Sequence, residues 1–158
     1  MTPTATIART PPSASFELIP RKGFDVAFAR SNGSGNGTVD PADAAWPREM
    51  RRTVRAGLDR WPPHLVAAAE LLVSELVTNA FRHGRGDVRV RMLFDDGRMQ
   101  LEVRDGSHEF PIPRTATDLD EGGRGLAIVQ AVADDWGVKN NGTTTWCSLV
   151  LPPLDGTP

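Results

Sequence analysis

Glu75 and Asn79 are four residues apart in the run SELVTNAFRHG, whose apolar residues recur with helical spacing. On a helix, this spacing places a carboxylate and a carboxamide on one face, with Cβ atoms roughly 5–6 Å apart. An amide oxygen is a hard, neutral ligand suited to Mg²⁺, and a carboxylate can orient or deprotonate an attacking hydroxyl. The pair predicts a metal–nucleotide site. An ordinary polar helix edge is the alternative, and the spacing alone favours it.

A second candidate is the acid in the run LEVRDGS, where Asp105 is followed by Gly106 and Ser107. It comes directly after an alternating segment, so a carboxylate lies at the end of a strand, and the glycine lets a ligand approach the backbone. A carboxylate accepts well from an exocyclic amine, such as the N6 group of adenine. The alternative is a plain turn, because Asp-Gly is a favoured turn pair.

The third candidate is the run EGGRGL, in which Gly122, Gly123 and Gly125 fall within four residues at the start of a helical pattern. Glycines let the backbone approach a phosphate, and a helix N-terminus adds unpaired N–H groups and a favourable dipole. Arg124 and Leu126 complete this candidate phosphate segment. Hinge glycines are the alternative. The run is neither a Walker A motif, because it lacks GK[ST], nor a Rossmann fingerprint, because no strand directly precedes it.

Periodicity predicts the elements that must position these motifs. Residues 15–20 alternate and predict a short edge strand that ends at its proline. Helical spacing predicts helices over 46–60, 63–83 and 124–134, with Gly84 at the C′ position of the second. Alternation predicts a hairpin over 88–94 and 99–103, and two further strands over 136–139 and 143–151 around an Asn-Asn-Gly turn. This order indicates an α+β fold, a two-layer α/β sandwich with a mostly antiparallel mixed sheet and helices on one face.

Composition limits the class of protein. The chain has 158 residues, 39% hydrophobic and 24% charged, with a net charge of −2, which fits one globular domain. Its longest uncharged apolar run, residues 65–69, is far shorter than the roughly 20 residues of a spanning helix, and no signal peptide is evident. Cys147 is the only cysteine and excludes an internal disulfide. We expect a cytoplasmic protein that binds neither membrane nor nucleic acid directly, since acidic residues outnumber basic ones.

Taken together and in this order, ELVTNAFRHG, VRDGS and GGRGLAIV resemble the GHKL (Bergerat-fold) ATPases, the superfamily of gyrase, mismatch-repair ATPases and histidine kinases. Within it, the chain resembles the small anti-sigma-factor serine/threonine kinases. The resemblance covers about residues 46–151. It implies that the site binds ATP with Mg²⁺.

The resemblance also implies a role for each site residue. Glu75 would be the general base, Asn79 the Mg²⁺ ligand and Asp105 the adenine reader, while the glycines at 122, 123 and 125 would line the triphosphate. Thr144, in TTTW on the last strand, would add a contact near adenine. The implied partners are an anti-anti-sigma (STAS-type) protein, a sigma factor and a second copy in a homodimer. A non-catalytic, nucleotide-gated binding module and an ATP-hydrolysing domain are the alternatives.

The resemblance suggests a division of the chain. Residues 1–15 are expected to form a disordered N-terminus, 16–45 an edge strand and a flexible Gly/Asn-rich loop joined to the domain, 46–151 the histidine-kinase-like ATPase domain, and 152–158 a tail. Two features depart from the family pattern. Ser107 stands where the family often has the glycine of Asp-x-Gly, and residues 21–38 are longer than the expected link.

Overall fold

The computed structural model describes residues 14–19, 23–30, 39–95, 97–106 and 121–154; for residues 14–19 and 121–125 it describes the course of the chain only. Several predictions fall outside these ranges: the N-terminal segment up to residue 13, the Gly/Asn-rich run at 31–38, Ser107, the segment 108–120 and residues 155–158. They stay predictions.

One antiparallel sheet forms the first layer. Its strands are β1 (Ala14–Ile19), β2 (Gly23–Phe28), β3 (Val88–Asp95), β4 (Arg98–Arg104), β5 (Asp135–Lys139) and β6 (Thr144–Val150). They lie in the order β1-β2-β3-β4-β6-β5. Each neighbouring pair among the described strands is antiparallel, so the sheet is antiparallel throughout these ranges. The sequence analysis had predicted a mostly antiparallel but mixed sheet. The predicted α+β class is confirmed.

In the part of the chain that the structure describes, three helices form the second layer: α1 (Trp46–Gly57), α2 (Pro63–His83) and α3 (Glu121–Val132), preceded by a short 3-10 turn at Pro41–Asp43. Both α1 and α2 carry a proline in the first turn, where its missing N–H costs nothing. The predicted bounds of α2 are confirmed. Helix α1 ends at Gly57, three residues before its predicted end, because the backbone of Leu58, with φ −114° and ψ 16°, leaves the helical region. Helix α3 begins at Glu121, three residues before its predicted start.

Alternation along the strands separates two faces. Cross-strand register pairs Met92 with Leu101 and Leu101 with Cys147, and all three are fully buried beneath the helices. The other face, which we call the outer face, carries the intervening polar and charged residues. Side chains in odd-numbered positions of β4 and β6 therefore face the helices, and those in even-numbered positions face outward.

The prediction over residues 16–45 omits a strand. β2 has a clear period of two, with Phe24, Val26 and Phe28 buried beneath the helices. Phe28 stacks on Trp46 of α1, with ring centroids 4.2 Å apart, and on Phe81 of α2 at 5.5 Å. This contact ties β2 to both helices, whereas the nearby proline and Gly/Asn-rich run had suggested a loop.

The turn at Asn140-Asn141-Gly142 is confirmed: these residues have φ values of 56°, 56° and 85°, the left-handed region that Asn and Gly tolerate. By length and hydropathy alone, α2 is one helix that could cross a membrane, which the short apolar run at 65–69 had not suggested. In this fold it is the central helix of the second layer, with Leu72, Val73 and Leu76 buried against the sheet. The core helix of a globular domain meets the same criteria.

Candidate functional site

Glu75 and Asn79 lie on the flank of α2 that faces away from α1. Helix α1 contacts the other flank, where Arg51 Nη1 donates to Ser74 Oγ at 2.8 Å and Arg55 pairs with Glu70. At 3.6 residues per turn, Asn79 lies about 140° around the helix from Ser74. Both candidate residues are half-buried, so each has part of its side chain open to a ligand.

Helix α3 packs against α2 and also contacts β5, so the three helices lie side by side in chain order across the sheet. The flank with Glu75 and Asn79 is therefore the α3 side. The first turns of α3 contain Gly122, Gly123 and Gly125. The predicted helix began at residue 124, after Gly122 and Gly123. The first four N–H groups of a helix have no partner inside it, so Gly122 and Gly123 stand where free amides are concentrated, whereas Gly125 is the fifth residue and lies beyond them. The structure thus brings the first and third motifs to one inter-helix boundary.

Asp105 follows β4 directly and is held at the C-terminal end of α2 by two backbone hydrogen bonds. Its carbonyl accepts from Arg85 N at 2.7 Å, and its own N–H donates to Thr143 O at 3.0 Å. These bonds join three segments that are far apart in sequence: the end of α2, the loop after β4 and the turn before β6. The carboxylate of Asp105 is half-exposed there.

Gly84 makes this junction possible, for a reason that differs from the prediction. Its backbone is extended, with φ −83° and ψ −179°, so it does not act as a left-handed C′ residue. A Cβ at this position would lie 2.5 Å from both Ala80 O and Asp105 Cβ. The glycine is therefore needed because the Asp105 loop approaches the helix end so closely.

Gly106 has the left-handed φ of +73°, and a Cβ there would lie 2.5 Å from Arg85 O. Both properties require glycine. The Asp-Gly pair is consequently a fixed corner packed on the end of α2, and it holds the preceding carboxylate in place.

Arg30, just after β2, is a residue of this junction that the sequence analysis did not single out. Its guanidinium donates to two carbonyls in the last turn of α2, Ala80 O at 2.7 Å and Phe81 O at 2.5 Å, and to Gly86 O, three residues past the helix, at 3.1 Å. The guanidinium carbon also lies 5.4 Å from the Phe81 ring centroid. Burial lowers the pKa of Arg30, and the charges of Asp105 and Asp43 oppose that shift. No motif marks Arg30, because its partners are backbone carbonyls some fifty residues away.

Thr144 does not join the other candidates. It is opposite Arg104 on β4 and lines a pocket on the outer face, where its Oγ accepts from Asn140 Nδ2 at 3.2 Å. Thr145 is opposite Val103, on the face covered by the helices, and is 9% exposed. The threonine of β6 that faces the α2 side is therefore Thr145. Adjacent residues of a strand point to opposite faces, and TTTW contains three adjacent threonines. The sequence alone therefore does not tell which of them faces the helices.

The remaining candidates are placed in part. Leu126 is 4% exposed, so its side chain belongs to the buried face of α3 and only its backbone can serve a ligand. The side chain of Arg124 and the whole of Ser107 lie outside the described residues.

The donor set fits magnesium held jointly with a nucleotide. Within the described ranges, no group of three His, Cys, Asp or Glu side chains could hold a metal ion on its own. Mg²⁺ typically takes one or two protein oxygens and completes its shell with phosphates and water. Asn79, with Glu75 one turn away and free amides expected at the start of α3, is compatible with that mode.

The fold and site together define an ATP-binding α+β domain of the GHKL type. The family model "Histidine kinase-like ATPase domain" matches residues 41–149, well over half of the chain, and the chain belongs to this family. No curated protein matches the chain. The matched range spans α1 to β6 and includes all three motifs, whereas β1 and β2 precede it.

Proposed function

We propose that this ATP-binding domain is a serine/threonine protein kinase of the anti-sigma type, which phosphorylates an anti-anti-sigma (STAS-type) protein and otherwise holds a sigma factor. The observation that carries the proposal is the placement of Glu75 beside Asn79 on the α3 flank of α2. A domain that only binds nucleotide needs the metal ligand and the glycines, but it does not need a carboxylate one turn from the metal ligand.

In the proposed transfer, a serine or threonine hydroxyl of the partner attacks the γ-phosphorus of ATP. Glu75 accepts the hydroxyl proton, a bond forms between the hydroxyl oxygen and phosphorus, and the bond from phosphorus to the β–γ bridging oxygen breaks, leaving ADP. Phosphoryl transfer relies mostly on positioning and on neutralising charge. When bound, Mg²⁺ would neutralise charge on the phosphates, and Asn79 would hold it. The amides at the start of α3 would bind the phosphates, and Asp105 would accept from the adenine amine.

Two other functions use the same site. In a nucleotide-gated binding module, ATP selects a partner that is never modified. In an ATP-hydrolysing domain, Glu75 activates water in place of a hydroxyl. Because Glu75 is half-buried, a partner segment that covers this flank could present a hydroxyl to it and exclude water, as transfer requires. We further propose that the protein acts in the cytoplasm, as a homodimer, without direct contact with nucleic acid or membrane.

The test is a transfer assay with γ-labelled ATP, Mg²⁺ and STAS-type proteins from the same genome. We expect label on a partner serine or threonine, and a loss of about 10²–10⁴-fold in rate for Glu75→Gln with ATP affinity retained. Glu70→Gln is the matched control, because Glu70 is an acid on the opposite flank of α2, paired with Arg55.

If none of these partners is labelled, the proposed kinase activity is refuted. An undiminished rate in Glu75→Gln would refute its role as the base. A partner that binds only with ATP but is never labelled supports the gated module, and phosphate release without any partner supports hydrolysis.

A further inference from the structure

The outer face of the sheet contains a charged pocket on the side opposite the helices. Its volume is about 80 Å³, and its walls are formed by Arg89 and Arg91 of β3, Glu102 and Arg104 of β4, and Thr144 of β6. We call these five residues the arginine pocket. It is separate from the ATP site, because the sheet lies between them.

Two like charges face each other in this pocket. Strand register places Arg89 directly opposite Arg104, and Arg104 in turn opposite Thr144. Like charges in directly opposed positions destabilise an antiparallel pair. Asp25 offsets the charge of Arg89, and a bound anion would offset that of Arg104.

The acids around the pocket already have partners. Asp25 of β2 accepts two hydrogen bonds from Arg89, through Nε at 2.7 Å and through Nη2. Glu102, which is 5% exposed, accepts from Lys139 and from Gln100 Nε2 at 2.9 Å. Both carboxylates are therefore neutralised by side chains other than Arg104.

Arg104 and Thr144 offer the pocket donors without acceptors, and one further donor is buried beside it. Within the described residues, the side chain of Arg104 makes no hydrogen bond or ion pair. The Nε of Arg91 is buried without a hydrogen-bond partner there; it lies 3.5 Å from Asp25 Oδ2, too far for a good bond, while Nη1 of the same guanidinium lies 3.4 Å from Glu102 Oε2. Thr144 Oγ accepts from Asn140, so its own hydrogen remains available.

The net charge of the pocket indicates the class of ligand. Three arginines and one glutamate give its walls a formal charge of +2, in a chain whose net charge is −2. Including the neighbours Asp25 and Lys139 leaves the sum unchanged. A phosphate monoester carries about −1.5 to −2 at neutral pH and has three acceptor oxygens, which matches the charge and suits the donors of Arg104 and Thr144.

We propose that the arginine pocket binds a phosphate monoester group. Phosphoserine or phosphothreonine of a partner protein and a small phosphate metabolite share this chemistry. The pocket is independent of the proposed kinase activity, because none of its residues belongs to the α2, Asp105 or α3 motifs.

The test is an amide-resolved NMR titration of the full chain with inorganic phosphate, and then with phosphoserine and a phosphoserine peptide. We expect saturable shifts in β3, β4 and β6. Arg104→Gln should weaken phosphate binding about tenfold, the usual order for one charge-assisted hydrogen bond. Arg98→Gln is the matched control, because Arg98 is an exposed arginine on the same face of β4, outside the pocket. It should change the affinity less than twofold.

Binding should also tighten as pH rises from about 5 to 7.5, because the second pKa of a phosphate monoester is about 6 while the arginines stay charged. Tighter binding of the phosphopeptide than of free phosphate assigns the ligand to a protein, and equal affinities assign it to a small molecule.

Three results would overturn the proposal: equal losses in Arg98→Gln and Arg104→Gln, binding of acetate as tight as that of phosphate, or shifts confined to α2 and α3. ATP added to the same sample should shift amides of α2 and α3. The titration therefore tests phosphate binding to the arginine pocket and ATP binding to its site separately, and either can be refuted without the other.

Discussion

At the scale of single residues, the site depends on which face of a strand or helix a side chain occupies. Glu75 and Asn79 share a flank of α2 because they are four residues apart, and the sequence predicts this without knowledge of the fold. Thr144 and Thr145 are adjacent on β6 and so face opposite ways. Only the register with β4 decides which of them faces the helices.

We predict that Thr145→Val weakens ATP binding and that Thr144→Val does not. Thr145 shares the helix-covered face with Val103, two residues before Asp105, whereas Thr144 lies on the outer face. Loss of one hydrogen bond of about 1 kcal/mol corresponds to roughly a fivefold weaker Kd. The measurement is calorimetric titration with MgATP. Equal effects of the two isosteric changes would contradict the assignment of faces.

At the scale of elements, the end of α2 is the part of the structure that organises the site. Arg30 caps its carbonyls, Gly84 admits the Asp105 loop, and Gly106 turns that loop. Because these contacts join β2, α2 and β4, we expect a change in any one of them to alter the position of Asp105.

We expect Gly84→Ala to lower both stability and ATP affinity. Its Cβ would overlap Ala80 O and Asp105 Cβ, each 2.5 Å away, so the Asp105 loop must move. Overpacking of this kind typically costs about 1–3 kcal/mol. Thermal unfolding and ATP titration measure the two effects.

The control for that change is Gly86→Ala. Gly86 has φ +67° but nothing within 4 Å of a Cβ, so the substitution strains the backbone without displacing Asp105. It should cost about 1 kcal/mol of stability and leave ATP affinity unchanged. A similar loss of ATP affinity in both variants would show that the close contact at Gly84 has no special role.

How far the sequence predicts these elements depends on how local their signals are. Helix α2 and the β3–β4 hairpin follow from period and turn residues within a few positions, and both are confirmed. β2 was missed although Phe24, Val26 and Phe28 alternate, because the loop composition around it outweighed a six-residue pattern. Arg30 could not be predicted, since its contacts arise only when β2 and α2 meet in the folded sheet.

At the scale of the whole molecule, one sheet separates two chemically different surfaces. The helix side carries the core and the candidate ATP site, and the outer face carries the arginine pocket. Cys147 lies on the helix side of β6, fully buried, and burial raises the pKa of its thiol to about 12. The sequence analysis did not treat it as a site residue, and this environment is that of an unreactive core thiol.

This burial predicts a loss of stability at high pH. The unfolded thiol ionises near its ordinary pKa of 9.0, whereas the folded thiol stays protonated up to about 12. The folded state therefore binds the proton more tightly, so the contribution of the thiol is fully present below pH 9 and is lost as pH rises toward 12. The expected slope approaches about 1.4 kcal/mol per pH unit.

The measurement is urea unfolding between pH 8 and 10.5 for the wild type and for Cys147→Ala. The variant should be less stable at every pH but should lack the part of the slope that comes from the thiol. Identical slopes would contradict the prediction, as would rapid labelling of the folded protein by a thiol reagent at pH 8.

The central claim is that ATP binds where the flank of α2, the Asp105 corner and the start of α3 meet. Calorimetric titration of the wild type, Asp105→Ala and Asp87→Ala with MgATP tests it most directly. Alanine keeps the Cβ that packs on Gly84 while removing the carboxylate, and Asp87 is an exposed acid three residues after Gly84. We predict saturable 1:1 binding to the wild type and Asp87→Ala, and a Kd at least tenfold weaker for Asp105→Ala. No binding to the wild type, or equal binding to all three proteins, would contradict the claim.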